Sequence, residues 1–250
     1  MSVNPIEAFH TGVRHWFEAT FEGPTPTQHE AWTAIRQGTD TLISAPTGSG
    51  KTLAAFLSAI NDLVESASMG QLRDETRVLY VSPLKALSND IHKNLEAPLA
   101  GILDQLAIEG VLGSEIRTRV RTGDSTQRER AEITRNPPHI LVTTPESLYI
   151  LLTSEGGRRV LGNVRTVIID EIHALVQSKR GAHLAISLER LDRLTGHRAQ
   201  RIGLSATQNP IEQVADFLTG TRPCTIIQQG HLRSLDLSID VPDLPLEAVL

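Results

Sequence analysis

The 250-residue chain has a single cysteine, Cys224, so no internal disulfide can form and the composition suits a reducing compartment. It has no basic excess. The formal net charge is −5, so any nucleic-acid site would be a local patch built against the overall sign. No apolar run approaches the roughly 20 residues that span a bilayer. MSVNPIEAFH, at the N-terminus, has neither the basic nor the apolar part of a secretory leader. These absences lead us to expect a cytoplasmic protein with no membrane partner. Fixed-period repeats and low-complexity tracts are also missing. What remains is ordinary globular composition, 40% hydrophobic and 21% charged, with length enough for a real core.

Strand and helix patterns alternate along the chain. Val13, Trp16 and Phe17 keep helical spacing, and Phe9 and Phe21 flank them, so the spacing predicts a short N-terminal helix whose aromatics are core or packing residues. GPTPTQ (23 to 28) follows, with Thr25 or Thr27 placed to cap a helix over 28 to 37. Apolar strands are expected at 41 to 44, 77 to 83, 139 to 143 and 164 to 169, with others at 115 to 121, 201 to 204 and 224 to 229. Their near-continuous apolar runs fit strands buried on both faces. Between them lie helical patterns, among them one interrupted near Pro98. Another carries Leu184, Leu188, Leu191 and Leu194 on one stripe, with Arg190 and Asp192 facing away. The alternation predicts an α/β fold, a doubly wound and mostly parallel β-sheet with helices on both faces. In such sheets ligands sit at the carboxyl ends of the strands.

The residues 45 to 52 read APTGSGKT and join a predicted strand to a predicted helix. Thr47, Gly48, Ser49 and Gly50 can turn backbone N–H groups toward one point, where the helix dipole also favours negative charge. Glycine lets the backbone curl close to an anion because no Cβ blocks positive φ. Lys51 could then reach the β/γ-phosphates, and the Thr52 hydroxyl could ligate Mg²⁺. Ala45 stands where the usual pattern has glycine. The plain alternative is a Gly/Ser turn with an ordinary lysine after it. Gln28, at a helix start, carries an amide that matches the edge of adenine, although a solvated polar residue would look the same.

VIIDEIH (167 to 173) delivers Asp170 and Glu171 to a strand end, where adjacent carboxylates are costly without a cation. Asp170 is assigned to the metal and Glu171 to polarising the attacking water. Both acids would otherwise simply cap the next helix. His173 has no partner at metal-ligand spacing and is read as a link to another strand end. SAT (205 to 207) supplies that end, with the hydroxyls of Ser205 and Thr207. A strand-end Ser/Thr pair often just satisfies local backbone groups.

In order, PTPTQ, APTGSGKT, SPLKAL, RTGD, TTPES, DEIH and SAT resemble the motifs of the first RecA-like domain of a superfamily 2 DExH-box helicase. SPLKALSND, TTPESLY and SKRGAHLAISLERL further resemble the large-helicase-related (Lhr) group. The resemblance covers almost the whole chain. It implies a P-loop ATP hydrolase that uses ATP and Mg²⁺ to drive 3′-to-5′ movement on single-stranded DNA and duplex unwinding in repair, RNA or a hybrid remaining open as substrate. Gln28 would read adenine, Glu171 and Lys51 would be catalytic, and His173, Ser205 and Thr207 would couple nucleotide state to movement. Lys85, Arg121, Gly123, Thr144 and Glu146 would line the nucleic-acid groove, with Lys179 and Arg180 as weaker candidates. Contacts to the backbone rather than the bases suit a motor that must accept every sequence.

The resemblance also implies a second RecA-like domain bearing an arginine finger. Residues 1 to 227 would form the ATP-binding domain, with its N-terminal helix and glutamine motif at 1 to 38. Residues 228 to 250 would be a linker or the start of the next domain. Alone, the chain is expected to bind ATP weakly and barely hydrolyse it, since a missing finger costs about 10³ to 10⁵ in rate. A non-catalytic, ATP-gated nucleic-acid-binding domain is the alternative, and a P-loop kinase would need an acceptor pocket and a mobile lid.

Overall fold

The strands with the most continuous apolar sequence lie deepest. The computed structural model describes residues 4–83, 91–111, 115–207 and 210–229. Its strands are β1 (Thr41–Ser44), β2 (Val78–Val81), β3 (Thr118–Arg121), β4 (Ile140–Thr143), β5 (Thr166–Ile169), β6 (Gln200–Ser205) and β7 (Thr225–Gln228). They form one seven-stranded sheet in the order β3-β4-β2-β5-β6-β1-β7. Every pairing is parallel. TLIS, VLYV and ILVT are buried at all four positions. The edge strands TRVR and TIIQ keep exposed positions and polar or charged side chains, which discourages pairing with another chain.

Helices cover both faces, each burying one apolar stripe. They are α1 (Thr11–Thr20), α2 (Pro26–Arg36), α3 (Lys51–Ser68), α4 (Ala97–Ile108), α5 (Gln127–Arg135), α6 (Pro145–Thr153), α7 (Glu155–Leu161), α8 (Lys179–Thr195) and α9 (Ile211–Thr219). One core holds Phe17, Trp32, Phe56 and Tyr80 between α1 to α4 and the sheet. The other holds Leu148, Leu161, Leu188 and Leu218 beneath α6 to α9. Thr25, not Thr27, caps α2, which begins at Pro26 and closes a capping box with Gln28.

Two details differ from the sequence expectation. The helix carrying Pro98 is not interrupted there. A wide π turn at His92–Glu96 runs directly into α4, with Pro98 in its first turn. That widening relieves the clash of the proline ring with the carbonyl four residues before it. Asp192 does not face away. Its carboxylate accepts from Arg201 Nη2 at 2.7 Å and from the Ala199 N–H at 3.3 Å, which satisfies a buried guanidinium on β6. The N-terminal aromatics are core or packing residues as expected: Phe9 and Phe17 are core, Trp16 is partly buried against it, and Phe21, 39% exposed, packs its ring 4.9 Å from that of Phe17.

The strand order sets the site. β6 separates β1 from β5, so the loop after β1 and the acids after β5 stand two strand spacings apart, about 10 Å. The residues after β6 lie between them.

Candidate nucleotide and nucleic-acid sites

β1 ends at Ser44, and after six intervening residues α3 begins at Lys51. Gly48 and Gly50 take φ of +84° and +82°, the left-handed region that glycine enters without cost. Gly50 is also tightly faced: a Cβ there would lie 2.5 Å from Gln28 Nε2. Gly50 stands at the N-cap of α3 with no side-chain cap, so no side chain of the cap screens the helix N–H groups. Thr25 Oγ1 donates to the Ser49 carbonyl at 2.9 Å and so ties the start of α2 to the loop.

The loop lines a cleft of about 620 Å³. Gln28, Thr47, Gly48, Gly50, Lys51, Thr52, Asp170 and Glu171, expected around a nucleotide, all lie on its wall. Trp16 and Phe21 form another part of that wall, a role that helical spacing alone does not reveal. Ser49, also expected there, is not among the residues lining the cleft; its Oγ is buried with no hydrogen-bond partner. Gln28 is 4% exposed, and its Oε1 accepts the Thr25 N–H at 2.9 Å. Its carbonyl is therefore engaged within the capping box, and its Nε2 is the end turned to the loop.

Asp170 and Glu171 leave β5 differently. Asp170 is 8% exposed; Oδ2 accepts the Tyr80 hydroxyl at 2.5 Å and Oδ1 accepts the Glu171 N–H at 3.0 Å. Burial raises its pKa above the ordinary carboxylate value, and the Tyr80 hydroxyl works against that rise. A cation would favour its charged form. Among the described residues, no three His, Cys, Asp or Glu side chains converge as a metal site. A hard cation bound here would take oxygens from Thr52, Asp170, water and the phosphates, which is how Mg²⁺ is usually held. The donor set fits Mg²⁺.

Glu171 has φ of +45°, the only non-glycine positive value among the described residues. Such a residue is strained and persists because its surroundings impose it. His173 supplies part of them: its Nε2 lies 3.3 Å from Glu171 Oε2. On the other side of the ring, Nδ1 accepts the Ala206 N–H at 3.2 Å and lies 3.4 Å from Ser205 Oγ. Because a backbone N–H can only donate, the proton of the neutral imidazole sits on Nε2, facing Glu171. The sequence-expected link between His173 and Ser205 thus exists as a geometry. Thr207 is exposed two residues beyond.

The groove candidates occupy the ends of β3 and β4. Arg121 is 5% exposed and donates from Nη1 to the Thr122 carbonyl at 2.6 Å. The Gly123 carbonyl accepts from Arg130 Nη2 at 2.9 Å. Thr144 caps α6 through the Ser147 N–H at 3.3 Å. Glu146 is held by Arg180, whose Nε and Nη2 lie 2.5 and 3.2 Å from its two carboxylate oxygens. Arg180 Nη2 also donates to the Pro83 carbonyl at 3.1 Å. One guanidinium therefore joins the segments after β2, β4 and β5, and keeps the Glu146 carboxyl below its ordinary pKa. Lys85 lies outside the described residues.

The family described as DEAD/DEAH box helicase matches residues 25–216. The chain is 51% identical over 239 residues to the Lhr helicase/probable uracil glycosylase of Mycolicibacterium smegmatis, covering 96% of this chain and 16% of that protein. It is 50% identical over 238 residues to the ATP-dependent helicase Lhr-Core of Methanothermobacter thermautotrophicus, covering 93% of this chain and 27% of the relative. Among solved structures, the Mycobacterium smegmatis helicase Lhr bound to ssDNA and AMP-PNP superposes with a TM-score of 0.85 at 50% identity, over 91% of this chain and 28% of that one. The DEAD-box helicase Mss116 bound to ssRNA and UDP-BeF shares the fold at a TM-score of 0.71 and 17% identity, over 88% and 43%. The chain spans about a sixth to a quarter of the length of those two Lhr relatives. Its fold is that of a RecA-like helicase domain, and the chain belongs to the DEAD/DEAH box helicase family, with about half of its residues shared with Lhr helicases.

Proposed function

We propose that the chain is the nucleotide-holding RecA-like unit of an ATP-dependent helicase that moves along single-stranded DNA. The observation that carries this reading is one cleft lined by the Gly48–Gly50 loop, Lys51, Thr52 and the Asp170–Glu171 pair. The Lhr relative bound to ssDNA and AMP-PNP supports it. Lys51 and the loop N–H groups would hold the phosphates, Gln28 Nε2 would face the base, and Thr52 and Asp170 would hold Mg²⁺. Bound Mg²⁺ would supply charge neutralisation to the phosphates. Glu171 accepts a proton from the attacking water, and His173 keeps its carboxylate oriented while its other nitrogen rests on the segment after β6.

The finer parts of the reading belong to the whole protein. They are 3′-to-5′ polarity, duplex unwinding, service in DNA repair, and a second RecA-like domain that completes the site with an arginine. Arg121, Gly123, Thr144, Glu146 and Lys85 would line the strand path, with Glu146 acting through Arg180. Glu171→Gln, in a chain extended through a second RecA-like domain, tests the assignment: it should retain nucleotide and abolish hydrolysis. Unchanged turnover would remove Glu171 from the catalytic role.

A further inference from the structure

Tyr80, the third residue of β2, has 0% exposure yet carries a hydroxyl. Its ring stacks on Phe56 of α3, with centroids 4.7 Å apart and planes inclined by 28°. Phe56 lies one helical turn after Thr52, so the phenol is braced by the helix that starts the phosphate loop. The hydroxyl donates to Asp170 Oδ2 at 2.5 Å, while Asp170 Oδ1 takes the Glu171 N–H at 3.0 Å. The Asp170 N–H is itself bonded to the Val81 carbonyl at 2.9 Å, one residue beyond Tyr80. Both oxygens of the carboxylate are thereby fixed, each can accept further bonds, and Asp170 lines the cleft together with Lys51 and Thr52.

We propose that Tyr80 is the positioning residue for the metal-binding carboxylate. Its hydroxyl locks Asp170 in the orientation that accepts a hydrated divalent cation, and its ring registers that carboxylate against the phosphate-loop helix. This rests on reading the cleft as a nucleotide–Mg²⁺ site. A purely structural role, in which the hydroxyl only satisfies itself in the core, would leave metal response untouched.

Tyr80→Phe keeps the ring and the stacking and deletes the hydroxyl. The measurement is the affinity of this chain for a fluorescent ATP analogue, with excess Mg²⁺ and again with EDTA. A hydrogen bond to a charged group contributes about 1.5–3 kcal/mol, so the gain in affinity due to Mg²⁺ should shrink by about ten- to a hundredfold. Affinity in EDTA should hold. In an Asp170→Asn background Tyr80→Phe should change the Mg²⁺ gain no further, since the two residues act as one unit. An unchanged Mg²⁺ gain, or equal losses with and without metal, overturns the proposal. Should Tyr80→Phe fail to fold, difluorotyrosine at position 80 keeps the donor but alters its strength, and an unaltered Mg²⁺ gain again overturns it. If the parent chain itself shows no nucleotide binding, the nucleotide-site reading fails first, a result distinct from the others.

Discussion

His173 stands between two strand ends, with Nε2 3.3 Å from Glu171 Oε2 and Nδ1 3.2 Å from the Ala206 nitrogen. The imidazole is thus the bridge from the carboxylate after β5 to the segment after β6. His173→Ala removes both contacts without touching the phosphate loop. Nucleotide affinity should be nearly unchanged. In a chain extended through a second RecA-like domain, DNA-stimulated hydrolysis should fall by about 10²-fold, at the low end of what an aligned general base contributes. Steady-state ATPase assays with and without single-stranded DNA check this, and equal stimulation in the variant would contradict it.

Lys51 is 6% exposed at the first position of α3. Lys51→Ala should lower nucleotide affinity by about ten- to a hundredfold, the loss of one hydrogen bond from a charged donor, with the circular dichroism spectrum unchanged. Fluorescence titration reads the affinity directly.

The Arg180–Glu146 pair is half-exposed, so breaking it should change folding stability by only about 0–1 kcal/mol. Its value lies in aligning the segments after β2, β4 and β5. Arg180→Ala should weaken single-stranded DNA binding, and should flatten the slope of log affinity against log salt by about 0.7 if its guanidinium also neutralises a phosphate. Glu146→Gln should weaken binding by a smaller factor. Anisotropy titrations at several salt concentrations separate the two effects.

His139 is 1% exposed, and its Nδ1 accepts the Arg117 N–H at 2.9 Å. Burial, then the Arg117 charge, pushes its pKa below the ordinary 6.5. For a base with a depressed folded pKa, the unfolded chain takes the proton first. The stability contributed by neutral His139 is complete above 6.5 and is lost as pH falls below 6.5 toward the folded value. Glu146, lowered by Arg180, acts only below its ordinary 4.5. In thermal melts between those two pH values His139→Asn should lose less stability than the parent as pH falls, while Asp62, whose pKa burial pushes up to about 6, contributes in the opposite sense to both proteins.

Much of this architecture was legible in the sequence because the signals are local. Buried parallel strands read as short apolar runs, and APTGSGKT states its turn and its helix start within eight residues. The strand-end rule then gathered Lys51, Asp170, His173 and Ser205 at one end of the sheet. Partnerships across the fold were not legible. Arg180 reaches Glu146 across 34 positions, and Tyr80 reaches Asp170 across 90. Helical spacing identified an apolar face on α1 but not which aromatic at its border stays open to the cleft. The same limit hid Asp192, whose position on α8 faces Arg201 only because β6 lies beneath it.

We propose that this chain binds nucleotide weakly but measurably and supplies one half of the catalytic site. The most direct measurement is ATP turnover by the chain alone, saturated with Mg²⁺·ATP and single-stranded DNA, beside the chain extended through a second RecA-like domain. Nucleotide should bind to both, with turnover by the chain alone about 10³-fold or more below that of the extended protein. Motor-like, DNA-stimulated hydrolysis by the 250-residue chain on its own would contradict it.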